Sequence, residues 1–167
     1  VDKTELIYEL VNDTGNEVTL FTRPRRFGKT LMMSMMESFF DISRDSRELF
    51  EDLAITNHET FCREWMNQYP VIFVSFKDVE AEDFDGGYKM LAVRLADLCK
   101  ELADIVNNES VNPADRDIFN RLMYKQAEIN EVKNSIKTLM RMLYATYGKK
   151  VILLIDEYDV PLAKASE

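Results

Sequence analysis

Gly28, Lys29 and Thr30 stand in a row where an apolar stretch, Val18 to Thr22, gives way through Arg23-Pro24-Arg25-Arg26-Phe27 to a helical pattern. Each of the three has a use beside a phosphate group. A glycine lets the backbone approach closely enough for its N–H groups to face an anion. A lysine neutralises the outer phosphates, and a threonine hydroxyl is a ligand for magnesium. At the mouth of a helix the dipole adds to the attraction for negative charge. Much further along, Val151-Ile152-Leu153-Leu154-Ile155 ends in Asp156-Glu157. A carboxylate at the end of such a run can hold magnesium, usually through water, and its neighbour can orient and deprotonate a water molecule. The candidate phosphate ligands are thus Arg25, Arg26, Phe27, Gly28, Lys29 and Thr30; the candidate metal ligands are Thr30 and Asp156; the candidate catalytic groups are Lys29 and Glu157.

Each segment alone has a plainer reading. Lys29 would then be an ordinary helix-start residue facing solvent, and Asp156-Glu157 a solvated strand end. The two together favour the chemical reading. One position departs from the full phosphate-loop pattern: a second glycine belongs five residues before Gly28, and Arg23 stands there. Arg23, Arg25 and Arg26 either add charge for a triphosphate or face outward to pair with acidic groups of a neighbour, unless they are merely solvated.

Strands and helices must carry these groups. Asp2 followed by Glu5 reads as a capping arrangement for a short first helix with Leu6, Ile7 and Leu10 on one face. Val18 to Thr22 reads as a strand, and Gly28 to Phe40 as a helix with Leu31, Met32, Met35, Met36 and Phe39 as core packing. Ser46 to Leu53 is a short helix, and Asn57 a cap for another reaching about Gln68. Phe61 and Trp65 would plug that helix against a sheet. Val71 to Phe76 is apolar without alternation, the mark of a strand covered on both faces. Asp83, Asp85, Gly86 and Gly87 read as a loop. From Tyr88 to Ile105 apolar residues recur every three or four positions, which gives a long amphipathic helix packed on the sheet rather than in a dimeric coiled coil. Asn112-Pro113 opens another helix, and Ile129 to Tyr147 a third, closed by Gly148. Helices alternating with buried strands predict an α/β fold with a mostly parallel sheet, whose ligands bind beyond the carboxyl ends of the strands.

Composition bounds what else is open. The 167 residues are 46% hydrophobic and 11% aromatic, enough to close a core and to exclude a disordered tail. Lys and Arg number 21 against 30 Asp and Glu, a net charge of −9 that argues against a whole-surface grip on nucleic acid. Cys62 and Cys99, with His58 as the single histidine, suit buried free thiols and not a zinc site. No apolar run reaches the ~20 residues that span a bilayer. With no leader pattern, a cytoplasmic protein is the expectation. Val1 in place of Met is expected of a chain cut from a longer one.

Four segments together resemble the bacterial AAA-ATPase-like family: Val1-Asp2-Lys3-Thr4-Glu5-Leu6-Ile7, Arg23 through Thr30, Tyr69-Pro70-Val71-Ile72, and Ile155-Asp156-Glu157-Tyr158-Asp159-Val160-Pro161. The resemblance runs over essentially the whole chain. It implies a P-loop NTPase-type parallel sheet flanked by helices, with residues 1–167 as the N-terminal part of the domain. It also implies ATP and Mg2+ as cofactors, with Lys29 and Thr30 on phosphate and magnesium, Asp156 on the metal and Glu157 on water. Members are commonly followed by a region similar to PD-(D/E)XK nucleases, so ATP hydrolysis in a longer protein would switch an attached effector. The adjacent acids mark the P-loop branch with a strand inserted beside the phosphate-loop strand. The expected sheet therefore has three parallel strands and a gap next to Val18 to Thr22, filled by further chain or by a homo-oligomer. On its own this piece is expected to be weakly active or inactive. The rival functions are a nucleotide-binding scaffold without hydrolysis, a phosphotransferase, and a partner-binding surface on the long helix.

Overall fold

The structure, a computed structural model, describes residues 2–14, 29–75, 83–105 and 107–156. Val71–Ser75 (β1) and Ile152–Asp156 (β2) lie side by side in parallel, with Val71 opposite Ile152 and Ser75 opposite Asp156. Side chains alternate across a strand, and here both faces are covered. Ile72, Val74, Leu153 and Ile155 turn to one side, into a cluster with Leu95, Leu98, Phe119, Leu139 and Leu143. Val71 and Leu154 turn to the other, into a cluster with Ile7, Met33, Met36, Phe39 and Phe61. Helix–sheet–helix layering therefore holds, and the chain is a mixed α/β protein.

On the second face lie α1 (Glu5–Thr14), α2 (Lys29–Phe40), α3 (Arg47–Phe50) and α4 (Glu59–Trp65). On the first lie α5 (Phe84–Glu101), α6 (Pro113–Met123), α7 (Ile129–Lys133) and α8 (Ser135–Tyr147). The expected ends at Asn112 and Gly148 are in place. Asn112 accepts from the Ala114 amide at 2.9 Å, and Gly148 takes a left-handed φ of 67° that closes α8. The long amphipathic helix packs against the sheet, through Leu95 and Leu98. Phe61 and Trp65 pack against Phe39 and Phe40 at ring separations of 5.9 and 6.1 Å, as a plug does.

Several readings are corrected. The loop over Asp83 to Gly87 is instead the start of α5, because the Asp83 carboxylate accepts from the Gly86 amide at 2.8 Å and offsets the glycines' weak helix propensity. The helix expected from Ile129 to Tyr147 is broken at Asn134, whose side chain donates back to the Asn130 carbonyl at 2.8 Å. Asn57 ends a single 3₁₀ turn, Ala54–Asn57, instead of capping α4, which begins at Glu59. Asp2 and Glu5 do not form a capping box. Asp2 accepts from the Thr4 and Ala54 amides, while Glu5 meets His58 at 2.7 Å. Leu31, expected in the core, is 76% exposed; Met33 and Phe40 take the buried face with Met36 and Phe39. The expected strand Val18 to Thr22 lies outside the described residues.

Candidate functional site

Where α2 ends determines where it begins. Its last turn is tied to the chain entering β1: the Asn67 amide donates to the Phe39 carbonyl at 2.7 Å and the Tyr69 amide to the Phe40 carbonyl at 3.1 Å. The C-terminus of α2 thus sits at the leading edge of the sheet. A helix of 12 residues is about 18 Å long, close to the length of these strands with their entry residues. From that anchor α2 lies over the face of the sheet that carries Val71 and Leu154, packed there through Met33, Met36, Phe39 and Phe40. Lys29 and Thr30 are the first two residues of α2.

Asp156 is the last residue of β2 and is 1% exposed. Alternation puts it on the same face as Ile152 and Leu154, the face that α2 covers. Burying a carboxylate there is costly unless it is engaged. The strand end therefore presents an acid on the side of the sheet where the helix bearing Lys29 and Thr30 lies. Ser75 is its register partner across a spacing of about 4.8 Å and shares that face. Ser75 is a residue that the sequence reading passed over. The available signal is a lone hydroxyl, Ser75, set between Val74 and Phe76 in an otherwise apolar strand run.

Arg23, Arg25, Arg26, Phe27, Gly28 and Glu157 lie outside the described residues. Of the candidate set, Lys29, Thr30 and Asp156 lie among the described residues, the first two at the start of α2 and the third at the end of β2.

The donor types suit magnesium. Asp156 offers a carboxylate and Ser75 and Thr30 offer hydroxyls, all hard oxygen ligands. Among the described residues no three His, Cys, Asp or Glu side chains gather into a metal site of their own. The N-terminus of α2 carries the positive end of its dipole, which favours anions.

A cavity of about 450 Å³ opens at the opposite edge, lined by Glu37, Asp41, Arg44, Pro70, Glu101 and Tyr147 among others. Its charged lining is four acids, Glu37, Asp41, Glu101 and Asp104, against Arg44, a balance that disfavours phosphate. Burial pushes the Glu37 and Glu101 carboxyls up from their ordinary range. Cys99 is buried and Cys62 half-buried, both free, in keeping with the sequence reading. Among the described residues no helix is long and apolar enough to cross a membrane.

Comparison with known proteins completes the description. The family model described as "Predicted AAA-ATPase" matches residues 1–167. An "Uncharacterized protein in vnfD 5'region" of Azotobacter chroococcum mcd 1 is 27% identical over 165 residues, which is 97% of this chain and 26% of that relative. The chain therefore spans about a quarter of that relative's length. No solved structure matches the chain.

Proposed function

The chain belongs to the predicted AAA-ATPase family, and from that premise we propose that it is an ATP- and magnesium-binding P-loop domain. Within the longer protein it hydrolyses ATP and switches an attached, nuclease-like effector region. The observation that carries the reading is the placement of α2. The helix that opens with Lys29 and Thr30 covers the face of the sheet on which Asp156 is buried at the end of β2, and in this reading its N-terminus points at that strand end.

In this reading the amides of residues 25 to 30 receive the β- and γ-phosphates, with Arg25 and Arg26 adding positive charge. The Lys29 ammonium neutralises charge that builds on the γ-phosphate as its bond to the leaving oxygen stretches. Thr30 and Asp156 would hold magnesium, with Ser75 opposite Asp156 in the strand register. When bound, that ion draws electron density from the phosphate oxygens. Glu157 orients a water in line with the γ-phosphate and accepts its proton. The length of the A. chroococcum relative supports a chain with room for an effector.

Equilibrium titration of ATP and ADP with magnesium tests binding. Lys29→Ala should weaken ATP by about tenfold or more, as loss of a charge-assisted contact does; equal affinities would overturn the reading. Arg23 at the position of the pattern's first glycine favours a second reading, a binding module without hydrolysis. Glu157→Gln separates the two. In an ATPase it keeps ATP bound and lowers phosphate release on the order of a hundredfold. A module without hydrolysis has no release to lose.

A further inference from the structure

The last four carbonyls of any helix have no partner inside it. In α2 that of Glu37 is taken by the Asp41 amide at 3.0 Å. The other three are met by chain that is distant in sequence. The Ser38 carbonyl accepts from Ser46 Oγ at 2.6 Å and from Asn67 Nδ2 at 3.1 Å. The Phe39 carbonyl accepts from the Asn67 amide at 2.7 Å, and the Phe40 carbonyl from the Tyr69 amide at 3.1 Å. Asn67 Nδ2 donates also to the Asp41 carbonyl at 2.9 Å, while its Oδ1 accepts from the Ser46 amide at 2.9 Å. To reach all of these Asn67 adopts a φ of 55°, the left-handed region that asparagine tolerates better than most residues.

The links continue into the sheet. The Tyr69 carbonyl accepts from the Ile42 amide at 2.8 Å, and the next carbonyl, that of Pro70, accepts from the Ile152 amide at 2.9 Å. Ile152 begins the strand that ends in Asp156. Covalent bonds and directional hydrogen bonds therefore run unbroken from the C-terminus of α2 to the strand carrying the acid.

The rest of the α2 contact is of another kind. Met33, Met36, Phe39 and Phe40 lie in one cluster with Val71 and Leu154. Apolar contacts are non-directional and methionine is adaptable, so this interface resists separation better than it resists sliding. Hydrogen bonds, which weaken steeply once stretched or bent, resist sliding. We propose that Asn67 is a positioning residue that sets the axial register of α2 on the sheet, and with it the separation of Lys29 and Thr30 from Asp156. The inference rests on the nucleotide-binding reading and adds to it a residue at the far end of the helix, about 18 Å from the phosphates.

The test is the gain in ATP affinity that magnesium gives, measured by titration with magnesium and with EDTA in the full chain. Asn67→Gly keeps the left-handed backbone and the amide but deletes the side-chain bonds. Asn67→Asp keeps the size and the acceptor for Ser46, and sets a carboxylate oxygen against the Ser38 and Asp41 carbonyls. Ser46→Ala is milder and removes one donor to Ser38. Leu139→Ala, in the core of the other face, is the control for lost stability alone. Both Asn67 variants should lose on the order of tenfold of the magnesium gain, because metal bridging is sensitive to displacements of about an ångström. Affinity in EDTA should change little, Ser46→Ala should lose less, and Leu139→Ala should keep the gain. The inference is overturned if the Asn67 variants melt earlier yet keep the gain, if Leu139→Ala loses it equally, or if all three cluster variants are unfolded at the assay temperature. A wild type that binds no ATP sinks the nucleotide reading together with this inference; the other outcomes sink this inference alone.

Discussion

Ile72, Val74, Leu153 and Ile155 face α5 and α8, where they join Leu95, Leu98, Leu139 and Leu143, whereas Val71 and Leu154 face α2 and join Met33, Met36, Phe39 and Phe40. Branched aliphatics on the first side interlock, and a helix packed on them is fixed along its length. On the second side the adaptable Met33 and Met36 fill space beside edge-to-face rings such as Phe39 and Phe40, and the helix there is tied at its C-terminus by hydrogen bonds. The difference teaches that a buried helix can be held by its packed face or by hydrogen bonds at one end. The second side is the one on which α2, opening with Lys29 and Thr30, and the buried Asp156 both lie.

Cavity formation should separate the two sides most strongly. Leu139→Ala, fully buried among branched neighbours, is expected to cost about 4 kcal/mol in urea unfolding. Met36→Ala, 2% exposed and flanked by other methionines that can refill the space, is expected to cost about 2 kcal/mol. Equal costs would break the contrast. Thiol alkylation sharpens it next. Cys99 is fully buried in the aliphatic cluster, and burial pushes its thiol up to about 12. Cys62, on α4 beside the α2 cluster, is half-buried and raised by the same cause. At pH 8 Cys62 should react first, with Cys99 slower by about a hundredfold and limited by opening of the fold.

An ion pair gives a smaller effect. Arg141 holds Asp115, 8% exposed, through bonds of 2.9 and 3.2 Å that join α8 to α6. Arg141→Ala should cost about 1–2 kcal/mol by leaving the acid unmatched; no change in the urea midpoint would show that water replaces the guanidinium. The smallest effect is expected at Glu101, on the acidic cavity. Its carboxyl is raised from an ordinary 4.5, first by burial and then by Asp97, with Arg44 opposing. A raised carboxyl favours the fold while protonated, below the unfolded value, and that contribution is lost as pH climbs through the folded value. Glu101→Gln should therefore stabilise slightly at pH 7, by about 0.3 kcal/mol after allowance for partial exposure, and not at all near pH 4. Melting curves at the two pH values check the sign.

Much of the fold could be read from local pattern. The runs at Val71 and Val151 had the length, branching and unbroken apolarity of doubly covered strands. Asn112 and Gly148 marked helix ends because a cap acts within a few residues of itself. Local pattern failed where a side chain reversed a propensity. Gly86 and Gly87 suggested a loop until Asp83 capped them, and Asn134 interrupted a periodicity that otherwise ran on. Leu31 shows the limit of apolar counting: being apolar near a buried face does not decide which way one helix position points.

For the candidate site, residue type alone singled out Lys29, Thr30 and Asp156, since phosphate and magnesium select for charge and hard oxygen donors. What residue type could not supply was direction. That Asp156 is buried on the α2 side, that Ser75 stands opposite it, and that Asn67 grips the end of α2 are facts of tertiary structure. They depend on how strands pair and on where distant segments pass. The residues Asn67 grips, Ser38, Phe39 and Asp41, precede it by more than twenty positions, and no periodicity spans that distance. Local chemistry is encoded where the residues stand, whereas mutual placement arises only when the sheet brings their elements together.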